Sequence, residues 1–204
     1  MLNRSTSALL LCLLLAGCAG QGGQRQKPTL TPNLPSATAS DHRISPQLQH
    51  EYELAIALLR EGKTQPAQQA LNALLEKDDR IAGAHLNLAL IFYRNESLDQ
   101  ARQSVERALA LSPRNAAAYN LQGTLMRREG NFDGAALAYA NAMAADPNYA
   151  PAYLNMAILF DIYLQFWDDA RQFYRRYQQL STNPDPRVEH WLLDLDQRIA
   201  QQKG

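Results

Sequence analysis

Neither sign of charge prevails in this chain: Lys plus Arg and Asp plus Glu both number 20 among 204 residues. With no basic excess to neutralise a phosphate backbone, a nucleic-acid partner is disfavoured. Beyond residue 20 no run approaches the roughly 18 to 20 apolar residues that cross a bilayer. Cysteine is scarce, present only as Cys12 and Cys18. The histidines, His42, His50, His85 and His190, are scattered, and none forms an i, i+4 pair that could hold a metal on a helix. His85 stands at a large-residue position of a helix and reads as packing. Asp78-Asp79 and Asp168-Asp169 are adjacent pairs whose side chains diverge or sit in turns. A Gly-rich phosphate loop and a nucleophile elbow are both missing. These absences imply no metal and no cofactor, and they argue against an enzyme.

What is present begins at the N-terminus. Arg4 supplies a positive charge, and Ala8 to Leu15 is an apolar stretch too short to span a membrane. It ends in Leu15-Ala16-Gly17-Cys18, which resembles the lipobox of bacterial lipoproteins. Small residues let a peptidase approach the backbone, and the Cys18 thiol can carry a thioether-linked diacylglycerol. The resemblance implies a signal peptide over 1–17, lipidation of Cys18, and N-acylation, as by palmitate, of the new terminus. Several acyl chains anchor firmly where one is marginal. Ala19 stands where Asp retains lipoproteins in the inner membrane in enterobacteria-like sorting. The expected location is therefore the periplasmic face of the outer membrane. Cys12 leaves with the signal peptide, so the mature chain has no thiol pair and needs no disulfide.

From Ala19 to about Ser45 the composition turns to Gly, Gln, Pro, Ser and Thr. Such a segment buries too little surface to offset its ordering entropy. Residues 18–45 are expected to be a flexible, lipidated tether, on the order of 30 Å end to end as a coil.

From Leu48 the chain repeats itself, with starts at Leu48, Ala82 and Ala116, 34 residues apart. The third unit has Tyr119, Gly123, Gly130, Phe132, Ala135, Tyr139, Ala142 and Pro147. The second has Ala89, Leu98, Ala101, Val105, Ala108 and Pro113, and the first has Ala55, Gly62, Ala67 and Leu71, with Leu74 where Ala is usual. Small residues at Ala89 and Gly123, faced by Ala67, Ala101 and Ala135, let paired helices approach closely. Tyr139 and Val105 fill the gap to the next unit. Gly62 and Gly130 end helices in left-handed conformation, and Pro113 and Pro147 follow the second helix of their pairs. Period and pattern resemble those of the tetratricopeptide repeat. The resemblance implies an all-α solenoid of about four helix-turn-helix repeats over 46–182.

The fourth unit starts at Ala150 and departs from the pattern. Tyr153, Asn155 and Ala157 are in place, but Ala170 comes one residue late. Tyr163 to Trp167 replaces the Gly turn, so a longer first helix or a widened turn with an aromatic corner at Phe166-Trp167 is expected. Asp185 and Pro186 then suit the start of a last helix. Residues 183–204 place Val188, Trp191, Leu192, Leu195 and Ile199 on one face and Glu189, Asp194, Gln197 and Arg198 on the other. This is expected to be the helix that caps the array.

In tetratricopeptide solenoids the first helix of each pair lines the concave side, and the resemblance implies a partner-binding groove. Its expected lining is Tyr52, Ile56, Leu59 and Arg60; Leu86, Asn87, Leu90, Tyr93 and Arg94; Asn120, Thr124, Arg127 and Arg128; and Leu154, Asn155, Ile158 and Asp161. Asn87 and Asn155 match an asparagine that can hold a ligand backbone in the family, or simply suits that helix face. Ile56, Leu86 and Ala117 occupy places where a carboxylate clamp needs polar or basic groups. An amphipathic helix or an apolar extended segment is the better-suited ligand. The Phe166-Trp167 corner is a second candidate surface, with buried packing as its plain alternative.

Lipobox and repeats together resemble the assembly lipoproteins of type IV and tight-adherence pili. That implies a scaffold binding protein components of an envelope machine, a pilus or a secretion system. A scaffold for peptidoglycan hydrolases fits the same architecture. A ligand-binding or enzymatic lipoprotein is the reading from a different class.

Overall fold

The computed structural model describes residues 26–35 and 43–203. The expected signal peptide over 1–17, the expected lipidation site Cys18, and residues 18–25 and 36–42 of the expected tether lie outside the described residues. Among those described there are nine α-helices and no strand. They pair as α1 (Pro46–Arg60) with α2 (Thr64–Lys77), α3 (Ala82–Arg94) with α4 (Leu98–Leu111), and α5 (Ala116–Arg128) with α6 (Phe132–Ala145). In the fourth pair, α7 (Ala150–Ile158) runs into a π turn, Leu159–Leu164, before α8 (Trp167–Leu180), and α9 (Arg187–Lys203) closes the array. Each helix packs chiefly on its neighbours in sequence, as in a solenoid.

The small residues sit at the crossings. Ala55, Ala67, Ala89, Ala101, Ala135 and Ala157 are all fully buried. At Gly123 a Cβ would lie 2.6 Å from Cε1 of Tyr139, whose ring is itself fully buried. Glycine is required there by a neighbour, not by the backbone. Cap side chains come from Ser45, Asn115 and Asn131, whose oxygens accept from Leu48 N, Ala118 N and Gly134 N. Tyrosines lock the third and fourth units to the preceding end: Tyr119 Oη donates to Pro113 O (3.2 Å), and Tyr153 Oη to Pro147 O (3.0 Å).

The late Ala170 has a specific cause. In the first three pairs the turn residue has positive φ, at Gly62 (75°), Glu96 (63°) and Gly130 (80°), 34 residues apart. In the fourth it is Gln165 (62°), one residue late. The closing backbone bonds of the first three turns are Lys63 N to Leu58 O, Ser97 N to Phe92 O and Asn131 N to Met126 O. The fourth runs from Phe166 N to Phe160 O, one residue wider. The extra residue is taken up by the π turn, which lets α8 keep its place in the stack.

The aromatic corner belongs to the core. Phe166 and Trp167 are half-buried and pack on the fourth unit's apolar cluster, with Phe166 5.9 Å from the ring of Phe160. The Arg198 guanidinium lies 5.5 Å from the Trp167 ring centroid.

Helix α9 buries Val188, Leu195 and Ile199 as expected. Two expectations change beneath it. Asp161, read as a groove residue, is 3% exposed and accepts a hydrogen bond from Arg198 Nη1 (2.8 Å). Arg198, assigned to the polar face, therefore points inward. The π turn rotates Asp161 under the cap, and a buried carboxylate must be paired. Tyr174 Oη also donates to Asp161 (3.3 Å), and burial raises the Tyr174 pKa, helped by that carboxylate.

The 18–45 segment also gains a feature that composition did not announce. Residues 26–35 form no helix or strand and lie on α6, with Pro28 buried and Leu30 and Leu34 packed against apolar clusters. Within the segment expected as a tether, these ten residues form a strap against the array.

Candidate binding groove

The face built by α1, α3, α5 and α7 gathers the expected groove residues, and it differs from one end to the other. Between the first two units Ile56, Leu59, Leu90 and Ile91 floor a cavity of about 270 Å³ whose rim carries Arg60, Asn87 and Arg94. Leu90 is 38% exposed, high for a leucine that nothing in the fold requires at the surface. Arg60 and Arg94 are exposed on the last turns of α1 and α3, where a cation also suits the helix dipole. Arg60, Leu59 and Arg94 were anticipated. Ile91 was not, because its position in α3 reads as core, and it is indeed buried while still contributing to the floor. The space is below that of a typical small-molecule site and suits one or two apolar side chains of a polypeptide.

The asparagines do something other than wait for a ligand. Asn87 Nδ2 donates to Tyr52 Oη (2.9 Å) and to Gly83 O (2.7 Å). Asn155 Nδ2 donates to Asn120 Oδ1 (2.9 Å). Both bonds join a first helix to the first helix of the preceding unit, 35 residues earlier. These amides are therefore stitches between units. Tyr52 is held down by the same contact, its hydroxyl over Gly83, where a Cβ would lie 2.5 Å away. Burial raises its pKa, opposed by the Asn87 bond. Gly83 was not singled out from sequence, because its partner comes from another helix.

Toward the third and fourth units the groove residues contact one another and the core. Leu86 and Tyr93 pack on the second-unit cluster, and Leu154 and Ile158 on the fourth. Thr124 Oγ1 donates to Asn120 O (2.9 Å) and accepts from Tyr139 Oη (3.4 Å). Arg128 pairs with Glu96 and lies 5.9 Å from the ring of Tyr93. Arg127 lies 5.9 Å from the Tyr163 ring, and its Nη1 is buried without a hydrogen-bond partner. The expected arginine cluster is thus engaged within the fold, while Arg60 and Arg94 remain at the open end.

Among the described residues no group of three or more His, Cys, Asp or Glu is placed to hold a metal. His85 Nε2 is bonded to Asp79 O (2.8 Å), and Asp79 and Asp169 pair with Arg107 and Lys27. No described helix is long and apolar enough to cross a membrane.

A family model of the tetratricopeptide repeat matches residues 52–111 and 94–150. Among solved structures, Pseudomonas aeruginosa PilF is similar at 22% identity and TM-score 0.67, over 76% of this chain and 69% of that one. A thermophilic tetratricopeptide protein of Thermus thermophilus, TTC0263, is similar at 18% identity and TM-score 0.62, over 74% and 82%. The first tetratricopeptide domain of Spaghetti (RPAP3), bound to the HSP90 peptide SRMEEVD, is similar at 20% identity and TM-score 0.55, over 60% and 96%. No curated protein matches the sequence.

Proposed function

This is a tetratricopeptide-repeat chain, and from that premise we propose that it is a lipid-anchored scaffold of the bacterial outer membrane. Its work is to bind a protein component during assembly of an envelope machine such as a type IV or tight-adherence pilus or a secretion system. It carries out no chemistry of its own. The observation that carries the binding role is the open apolar cavity between the first two units, flanked by the free cations of Arg60 and Arg94. An amphipathic helix with acidic flanks fits it: leucine-sized side chains fill the floor and carboxylates meet the rim. Short-peptide capture by this fold is shown in RPAP3 with its HSP90 peptide. That peptide is acidic, but here the floor is apolar, so charge acts at the edge. The pilus assignment is supported by the joint lipobox-and-repeat resemblance and by the likeness to PilF.

A photo-crosslinking residue at Leu90 in living cells tests the binding role. The expected product is a covalent adduct with an envelope component, lost in Arg60→Glu/Arg94→Glu. No adduct from a folded chain would remove the groove from consideration. Anchorage is tested separately. Cys18→Ala should leave an uncleaved precursor or a soluble periplasmic form, and normal membrane fractionation at mature mobility would refute it.

A further inference from the structure

Helix α6 differs from the other second helices. At the positions where α4 exposes Arg102 and Glu106, α6 has Ala136 and Ala140, 0% and 3% exposed. Between its ends, Gly134 to Ala145, no residue is charged. A helix apolar all round needs cover on every side, and part of that cover is the strap.

The strap Gln26–Pro35 runs along α6 from its first turn to its last. Gln26 lies beside Phe132 and Asp133, and Leu30 packs on the cluster that contains Ala136 and Ala140. Leu34 packs on the cluster of Tyr119, Ala142 and Ala152, with Met143 beside it. Two polar contacts set the register. Asn33 N donates to Asn141 Oδ1 (2.8 Å), and Lys27 Nζ pairs with Asp169 at the start of α8 (2.6 Å). Asn141 is one of two buried polar side chains among the described residues, and the strap supplies its acceptor with a donor.

We propose that the outer face of α6 is a docking surface for an extended partner segment, and that the strap is its resident, exchangeable occupant. The strap states the recognition chemistry. Two leucines sit four residues apart, a lysine precedes the first by three, and a peptide N–H stands one residue before the second. Three prolines, Pro28, Pro32 and Pro35, favour an extended backbone at low entropic cost. The hold is slight: one backbone hydrogen bond, one exposed ion pair and three apolar side chains fix ten residues. Such a segment exchanges with a competitor of like sequence in a way that the helices cannot. This surface depends neither on the concave groove nor on lipid anchorage.

The test uses the full chain and a fluorescein-labelled peptide of residues 26–35, read by anisotropy. Leu30→Asp/Leu34→Asp in the chain dislodges the strap, and should bind the peptide at least tenfold more tightly than the unaltered chain does. Adding Ala140→Glu should abolish that binding with the helical melt preserved, since α4 carries Glu106 at the same place. In the unaltered chain, excess peptide should speed hydrogen exchange at the Asn33 amide, reporting displacement. Equal affinity in the two chains, or binding that survives Ala140→Glu, would overturn the proposal. An unaltered chain that is a dimer, made monomeric by Leu30→Asp/Leu34→Asp, would also overturn it and give the surface to a second copy.

Discussion

Repeats two and three solve the same packing problem with different volumes, and that difference is measurable. The second pair sets Ala89 against Val105; the third sets Gly123 against Tyr139, all fully or almost fully buried. In Gly123→Ala the new methyl would lie 2.6 Å from Tyr139 Cε1, so the ring must move by about 1 Å from a site with no free space. Overpacking of this kind costs roughly 1 to 3 kcal/mol. The better helix propensity of alanine returns about 0.8 to 1 kcal/mol. The net loss is about 1 kcal/mol, a fall in Tm of roughly 2 to 4 °C for a domain of this size. Tyr139→Val alone leaves a cavity and costs about 2 to 4 kcal/mol. The double variant rebuilds the Ala89–Val105 pair, so the methyl enters space that the ring has left. Its loss should fall short of the sum by about 1 to 2 kcal/mol, measured by urea denaturation in a double-mutant cycle. Additivity within about 0.5 kcal/mol would refute the claim that these two positions share one volume.

Three further outcomes follow from the fourth unit and the cap. Gln165→Gly relieves a left-handed backbone at the wide turn and should raise stability by about 0.5 to 1 kcal/mol; an unchanged Tm would mean that the Gln165 side chain contributes as much as the strain removes. Asp161→Ala removes one of the two carboxylates that pair with Arg198, leaving Asp194, and takes the acceptor from Tyr174, at a cost of roughly 1.5 to 3 kcal/mol, with α9 amides losing exchange protection before the rest. Asp185 is hydrogen-bonded by the Arg187 side chain and backbone, which hold its pKa at about 2, below the ordinary carboxylate value. Its contribution is therefore full above about pH 4 and disappears as pH falls toward 2. Exchange at the first turn of α9 should rise through that window, and Asp185→Asn should remove the change.

The helix pairs were legible because their determinants are local and periodic. Ala67, Ala101 and Ala135 recur at a fixed interval, as do Ala89 and Gly123, and the backbone turns at 62, 96 and 130 keep it. The one-residue delay of Ala170 showed that something must widen, though not that a π turn would absorb it, since α-helical and π hydrogen bonding make similar demands on side chains. What escaped were contacts between distant helices. Nothing near Asn87 announces that Tyr52 will occupy its amide, and nothing near Arg198 announces a carboxylate beneath the cap. The strap escaped for a related reason. Its composition cannot support a fold alone, yet α6, with Ala136 and Ala140 facing out, lacked cover that only another segment supplies. At the open end the expected Ile56, Leu59, Arg60, Leu90 and Arg94 line one cavity, whereas Arg127 and Arg128 contact Tyr163 and Glu96.

A ladder of adjacent helix pairs can assemble from any point, because each rung needs only the next. The strap breaks that locality. Its contacts join positions 108 and 142 residues apart, so the segment is fully seated only once α6 and α8 are in place. Closing so large a loop is slow compared with zipping up neighbours. Seating of the strap is therefore expected to be a late step, following the formation of the helix pairs it rests on.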